Sequence, residues 1–275
     1  MLESDEFADV MTVIRSMSSA VDVRTLMLIG ARCRDLLNYR YRSEIPARST
    51  IDTDIAMSTP DWGVLDRLRE EFSGDPRSWQ RCIVNGVQVD IVPFGGLENP
   101  PGHLGRPHAG DIWAMDVSCY GDVFTAATTV GITGVGPLRI PTVPGFAVLK
   151  LLAWLDRGPQ GMYKDAQDLS LCLSWYHGDL DFLYADDNLW TRDDEELEGY
   201  EWFVASALLA EGIRRILAPE SLVRLSTRLA HSDWSLLSSH FTCREAQFPR
   251  DDIRKRTVEL LLHRIVHGNP TAPSG

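Results

Sequence analysis

Apolar residues follow two different periods along this chain. Up to about residue 140 they come in short runs and alternations, and from Val143 onward they recur at helical spacing. In the first part, Phe7, Val10, Met11, Ile14 and Met17 form a helical stripe, with Ser4 placed to cap it. The run 25–29 predicts a strand, and 31–39 a helix directly after it. Residues 48–57 read as a strand, and Trp62, Leu65, Leu68 and Phe72 as a helical face behind Pro60. Two strands, 79–84 and 87–92, flank Asn85-Gly86, a dipeptide that favours a tight hairpin. Residues 95–110 are rich in Gly and Pro and read as a loop, followed by strand-like runs at 112–117 and 124–132. Helices are then expected around Phe146 to Leu155, Ala166 to Tyr176, and over 200–216, 219–229 and 251–266. The pattern predicts an α/β domain over 1–143 and a helical domain over 144–275. The acids at Asp186-Asp187 and at Asp193, Asp194, Glu195 and Glu196 read as solvated turns.

Composition narrows the class. The chain has 275 residues, 44% apolar and 24% charged, as a globular protein does. A net charge of −12 argues against a general nucleic-acid binder, although Arg40, Arg42 and Arg48 make a local basic patch. The acidic amino terminus lacks a signal-peptide segment, and no apolar run reaches the ~20 residues that span a bilayer. Its 5 cysteines are scattered and form no C-x-x-C pair, which suits reduced thiols and leads us to expect a cytoplasmic protein with no membrane partner.

The chemistry concentrates in three acids. Asp52 and Asp54 are two apart in one strand, so they share a face, and Asp90 lies in a second strand among Val89, Ile91 and Val92. Apolar flanks predict burial, and neighbouring buried carboxylates repel each other unless paired or bound to metal. A divalent cation relieves both costs. Other motifs carry less. Gly131 to Gly136 opens no helix and reads as a hairpin turn rather than a phosphate loop. His103 and His108 lack further ligands at metal spacing, and His263 and His267 have Arg264 where a zinc protease has Glu.

A strand ending in Gly30-Ala31, a helix, the run Arg48-Ser49-Thr50-Ile51-Asp52-Thr53-Asp54, and a later apolar strand bearing Asp90 together resemble the nucleotidyltransferases of the DNA polymerase β superfamily. Lys150, and Lys164-Asp165-Ala166-Gln167-Asp168-Leu169 after it, extend the resemblance to the abortive-infection and toxin-type branch. The resemblance covers residues 26–173. It implies an α+β fold, with a polymerase-β-like sheet and flanking helices followed by a helical carboxy-terminal bundle. It implies transfer of a nucleoside monophosphate from a triphosphate to an acceptor hydroxyl, supported by Mg²⁺ or Mn²⁺. The metal would be held by Asp52 and Asp54, Asp90 would complete a second metal site or take the proton of the acceptor hydroxyl, and Lys150 would neutralise phosphate charge. Gly30, Ala31, Arg32, Arg48, Thr50, Lys164, Asp165 and Asp168 would bind or position the nucleotide. RNA, a protein or a small molecule such as an aminoglycoside would be the acceptor, and an antitoxin a partner. A non-catalytic nucleotide-binding module is the other reading. Two departures stand out: Gly30 is followed by Ala rather than Ser or Gly, and the interval from Gly30 to Asp52 is longer than in compact members.

Overall fold

The computed structural model describes residues 5–42, 52–104, 115–244 and 246–269. The protein is α+β and divides into two compact units, Met1–Thr142 and Val143–Gly275. No described helix is long and apolar enough to cross a membrane.

The first unit runs α1 (Ala8–Met17), β1 (Leu26–Ile29), α2 (Gly30–Arg42), β2 (Asp52–Thr59), α3 (Trp62–Glu71), β3 (Arg81–Val84) and β4 (Val87–Gly95). It continues with β5 (His103–Leu104), β6 (Met115–Asp116), α4 (Tyr120–Thr125), β7 (Thr128–Ile132) and β8 (Gly136–Ile140). A mixed six-stranded sheet has the order β3-β4-β2-β1-β8-β7, and β5 and β6 pair separately. β1 runs antiparallel to β2 and parallel to β8, whereas β2 and β4 are parallel. β1 lies inside the sheet, and its four residues, Leu-Met-Leu-Ile, are all buried. That is the signature of a strand covered on both faces.

β2 and β4 behave differently along their length. At their beginnings burial alternates: Thr53 and Val89 are fully buried, while Asp52, Asp54, Gln88 and Asp90 are half-buried. Further on, from Ile55 to Met57 and from Ile91 to Phe94, every side chain is buried. Along these two strands, the half-buried stretch is therefore mainly the one that carries the acids.

Two expectations change here. Phe124 and Thr125 belong to α4, not to a strand, and β7 begins at Thr128. Phe124 packs edge-on against Phe94 at 5.4 Å and lies under the Arg139 guanidinium at 4.4 Å, so tertiary contact decides a segment whose local pattern reads as extended. Within the expected 95–110 loop, His103 and Leu104 form a strand with Asp116 and Met115; His108 lies outside the described residues.

The second unit is helical: α5 (Val143–Arg157), α6 (Lys164–His177), the single turn α7 (Leu180–Leu183), α8 (Glu201–Ile216), α9 (Pro219–Ala230), α10 (Trp234–His240) and α11 (Asp251–His267). α5 is buried on nearly all sides and packs on α6, α8 and α9. α8 approaches it closely: a Cβ on Gly212 would fall 2.6 Å from Pro144 Cγ. The acids of 193–196 are not all solvated. Asp194 is buried against Arg264 of α11, whose Nη1 donates to it at 2.6 Å and whose Nη2 donates to Glu196 at 2.8 Å. Arg264 itself has no exposed surface.

Candidate metal centre

The site begins where β1 ends. Ile29 stands opposite Asp54 on β2, and the chain then turns into α2 through Gly30, whose φ is +63°. L-residues with a Cβ are disfavoured there. Glycine is required for a second reason: a Cβ at this position would lie 1.8 Å from Asp54 Oδ2. The Asp54 carboxylate is thus seated against the Gly30 backbone at the amino-terminal end of α2.

Across the sheet, Asp54 is in register with Asp90, and Asp52 with Gln88. Because β2 and β4 are parallel and paired without offset, the side-chain alternation of both strands coincides, and all three acids point to one face. One carboxylate oxygen from each of Asp52, Asp54 and Asp90 lies within 4.8 Å of the others. That is well inside the ~10 Å limit beyond which one or two ions could not be shared. The acids are half-buried rather than buried.

The donors are all carboxylate oxygens, the hard ligands that Mg²⁺ and Mn²⁺ prefer over nitrogen or sulfur. The gap at Gly30 that a methyl group would fill is what allows Asp54 to sit beside the other two. The residues therefore fit a divalent cation.

A fourth charged group completes the cluster, and sequence reasoning missed it. Arg81 on β3 grips Asp90 with both arms, Nε to Oδ1 at 2.8 Å and Nη2 to Oδ2 at 2.9 Å. The hydrogen bonds to Asp90 raise the guanidinium pKa above its usual value, against some desolvation, with the charges of Asp90, Asp75 and Asp52 adding to the effect. A signal for it was present. A two-residue turn at Asn85-Gly86 pairs Val84 with Val87, and stepping outward pairs Arg81 with Asp90.

No family model, curated protein or solved structure matches this chain.

The other predicted residues separate into groups. Ala31 follows Gly30 in the first turn of α2. Arg32 is held against the start of the chain: its Nη2 donates to the Glu6 carbonyl and to Asp9, and its guanidinium stands 5.0 Å from the Phe7 ring centroid. Arg48 and Thr50 lie outside the described residues.

Lys150, Lys164, Asp165 and Asp168 all belong to the second unit. Lys150 is buried. It is 7% exposed, with Nζ 2.7 Å from Asp168 Oδ2 and 3.4 Å from Asp165 Oδ1. Burial works against the ammonium, but the Asp168 and Asp165 charges outweigh it and hold the pKa above its ordinary value. Asp165 is also gripped by Arg157, Nε to Oδ2 at 2.6 Å and Nη2 to Oδ1 at 2.9 Å. Lys164 is exposed in the first turn of α6. Lys150 and Arg157 of α5 and Asp165 and Asp168 of α6 form a charge network that joins the two helices.

Proposed function

We propose that this protein is a divalent-metal-dependent nucleotidyltransferase that moves a nucleoside monophosphate from a triphosphate to an acceptor hydroxyl. The observation that carries the reading is the convergence of Asp52, Asp54 and Asp90 from two parallel strands, with Gly30 making room for Asp54. In-line displacement at the α-phosphorus needs dense negative charge to be offset at one place, and three carboxylates on one sheet face provide for the cation that does this. Mg²⁺ or Mn²⁺ bound there would offset phosphate charge and polarise the phosphoryl group. Asp52 and Asp54, two apart on one strand, would hold it. Asp90 on the neighbouring strand would share in holding metal or accept the proton of the acceptor hydroxyl.

The resemblance to toxin-type enzymes extends the proposal to an acceptor on RNA or protein and to a partner antitoxin. Lys150, Asp165 and Asp168 receive no place in the reaction, because together with Arg157 they form a charge-balanced buried network.

Thermal unfolding tests the site before the acceptor is known. A ligand at about 100 times its Kd stabilises by ~2.7 kcal/mol, which for a chain of this size raises Tm by roughly 5–10 °C. Mg²⁺ or Mn²⁺ with a triphosphate should produce such a rise in the natural protein. Asp54→Asn should fold and lose the metal-dependent part. An equal rise in both proteins removes the assignment. Incubation with each labelled triphosphate, Mg²⁺ and a cell extract then identifies base and acceptor.

A further inference from the structure

Asp90 has a competitor for its charge. Both of its carboxylate oxygens accept hydrogen bonds from the Arg81 guanidinium, yet one oxygen of the same carboxylate is within 4.8 Å of oxygens from Asp52 and Asp54. Gln88 adds to the grip: with its amide turned so that the oxygen faces the guanidinium, it accepts from Arg81 Nε at 3.2 Å and from Nη2 at 3.3 Å. The backbone of Arg81 is anchored separately, its carbonyl accepting from the Asp75 N–H at 2.8 Å and from Arg69 Nη1 at 3.2 Å. The strand is thus fixed while the side chain is 33% exposed and has room to change partner.

We propose that Arg81 is a substrate-binding residue that exchanges partners: it neutralises Asp90 before metal arrives, and on loading it leaves Asp90 to the cation and turns to the phosphate oxygens of the metal–triphosphate. This rests on the metal and triphosphate reading given above. Three clustered carboxylates repel one another, and a guanidinium that shares their charge keeps the cluster stable without metal. A divalent cation claiming an Asp90 oxygen removes the acceptor that held one or both arms of the fork. Triphosphate arriving with that cation supplies oxygens in the planar two-point geometry that guanidinium matches, as it matches a carboxylate. The pair is too exposed to block loading: an ion pair of this kind contributes an amount equivalent to about a two- to fivefold change in an equilibrium constant.

The exchange has an opposite-sign signature. Arg81→Gln removes the competitor and also the phosphate ligand. Binding of Mn²⁺ alone, followed by calorimetry or by loss of the free-ion resonance signal, should tighten by roughly two- to fivefold. Binding of tripolyphosphate in saturating Mn²⁺, a probe independent of the base, should weaken by about tenfold or more, the loss expected for charged hydrogen bonds. Arg81→Lys, which keeps the charge and removes the fork, should bind Mn²⁺ nearly as the natural protein does while still weakening tripolyphosphate. Circular dichroism confirms that each variant is folded.

Equal Mn²⁺ affinity in Arg81→Gln and the natural protein overturns the proposal, because the guanidinium would then not compete. Weaker binding of both probes also overturns it, since Arg81 would only be shaping the strand. Tighter Mn²⁺ with unchanged tripolyphosphate overturns the exchange. In all three cases the metal site stands. Absence of Mn²⁺ binding in the natural protein overturns this proposal and the metal reading together.

Discussion

Gly30 shows how a single position can serve both backbone and site. Its positive φ and the Asp54 oxygen above it both exclude a side chain. Gly30→Ala should therefore cost about 1–3 kcal/mol from backbone strain, and more if Asp54 cannot move aside. Asp54 would be displaced from the other acids, so the variant should also lose its Tm response to Mg²⁺ or Mn²⁺ with triphosphate. Urea unfolding and a metal titration check both parts; unchanged stability with an intact metal response would show that Gly30 is replaceable. Lys150 is the opposite kind of residue. A lysine in an apolar helix suggests a side chain reaching for water, but this one is buried between two carboxylates. Its folded pKa is raised, so its contribution to stability is fully present below pH 10.5, the ordinary lysine value, and is lost as pH rises through the raised value.

At the scale of elements, the Lys150 network makes α5 and α6 one unit. Lys150→Met should destabilise the protein by about 3–5 kcal/mol, because it takes one ammonium out of a buried charge network and leaves the facing carboxylates in place. Adding Asp168→Leu should recover part of that loss, since removing both charges costs less than leaving one. Denaturant unfolding of the four proteins of this cycle measures the coupling, and a single-variant loss below about 1 kcal/mol would mean that the pair behaves as a hydrated surface bridge. The β3–β4 hairpin was readable in advance, because Asn85-Gly86 sets the turn locally, although β3 begins at Arg81 rather than at residue 79. The short helix α4 was not, because the contacts of Phe124 with Phe94 and Arg139 come from segments far along the chain.

At the scale of the whole molecule, each unit has its own organising charge cluster. In the second, Arg264 links α11 to the segment around Asp194 and Glu196, some 70 residues earlier, and Asn269 ties the same guanidinium to Glu211 of α8. Arg264→Met should cost about 3–5 kcal/mol by removing a buried guanidinium that two carboxylates, Asp194 and Glu196, accept from. Thermal unfolding should show that loss with no change in metal affinity, as the acids that would hold metal are in the other unit. In hydrogen exchange, Mn²⁺ with tripolyphosphate should slow amides over 26–31, 52–59 and 87–95 more than those of α8 and α11. Uniform slowing would count against a site confined to the first sheet.

The sequence by itself determined the features whose causes are local. Side-chain alternation put Asp52 and Asp54 on one face, Asn85-Gly86 paired Arg81 with Asp90, and helical spacing began at Val143, where α5 starts. The tertiary structure decided which strands are neighbours. Only the parallel pairing of β2 with β4, in register at Asp54 and Asp90, turns two acids and a distant third into one cluster. It also decided which charges are buried: Lys150, Asp194 and Arg264 look like surface residues until partners up to 70 residues away enclose them. Alternation and turn chemistry act over two to four residues and leave their mark in the pattern. Strand adjacency and buried ion pairs depend on closing long loops against one core, and no short window of sequence records that.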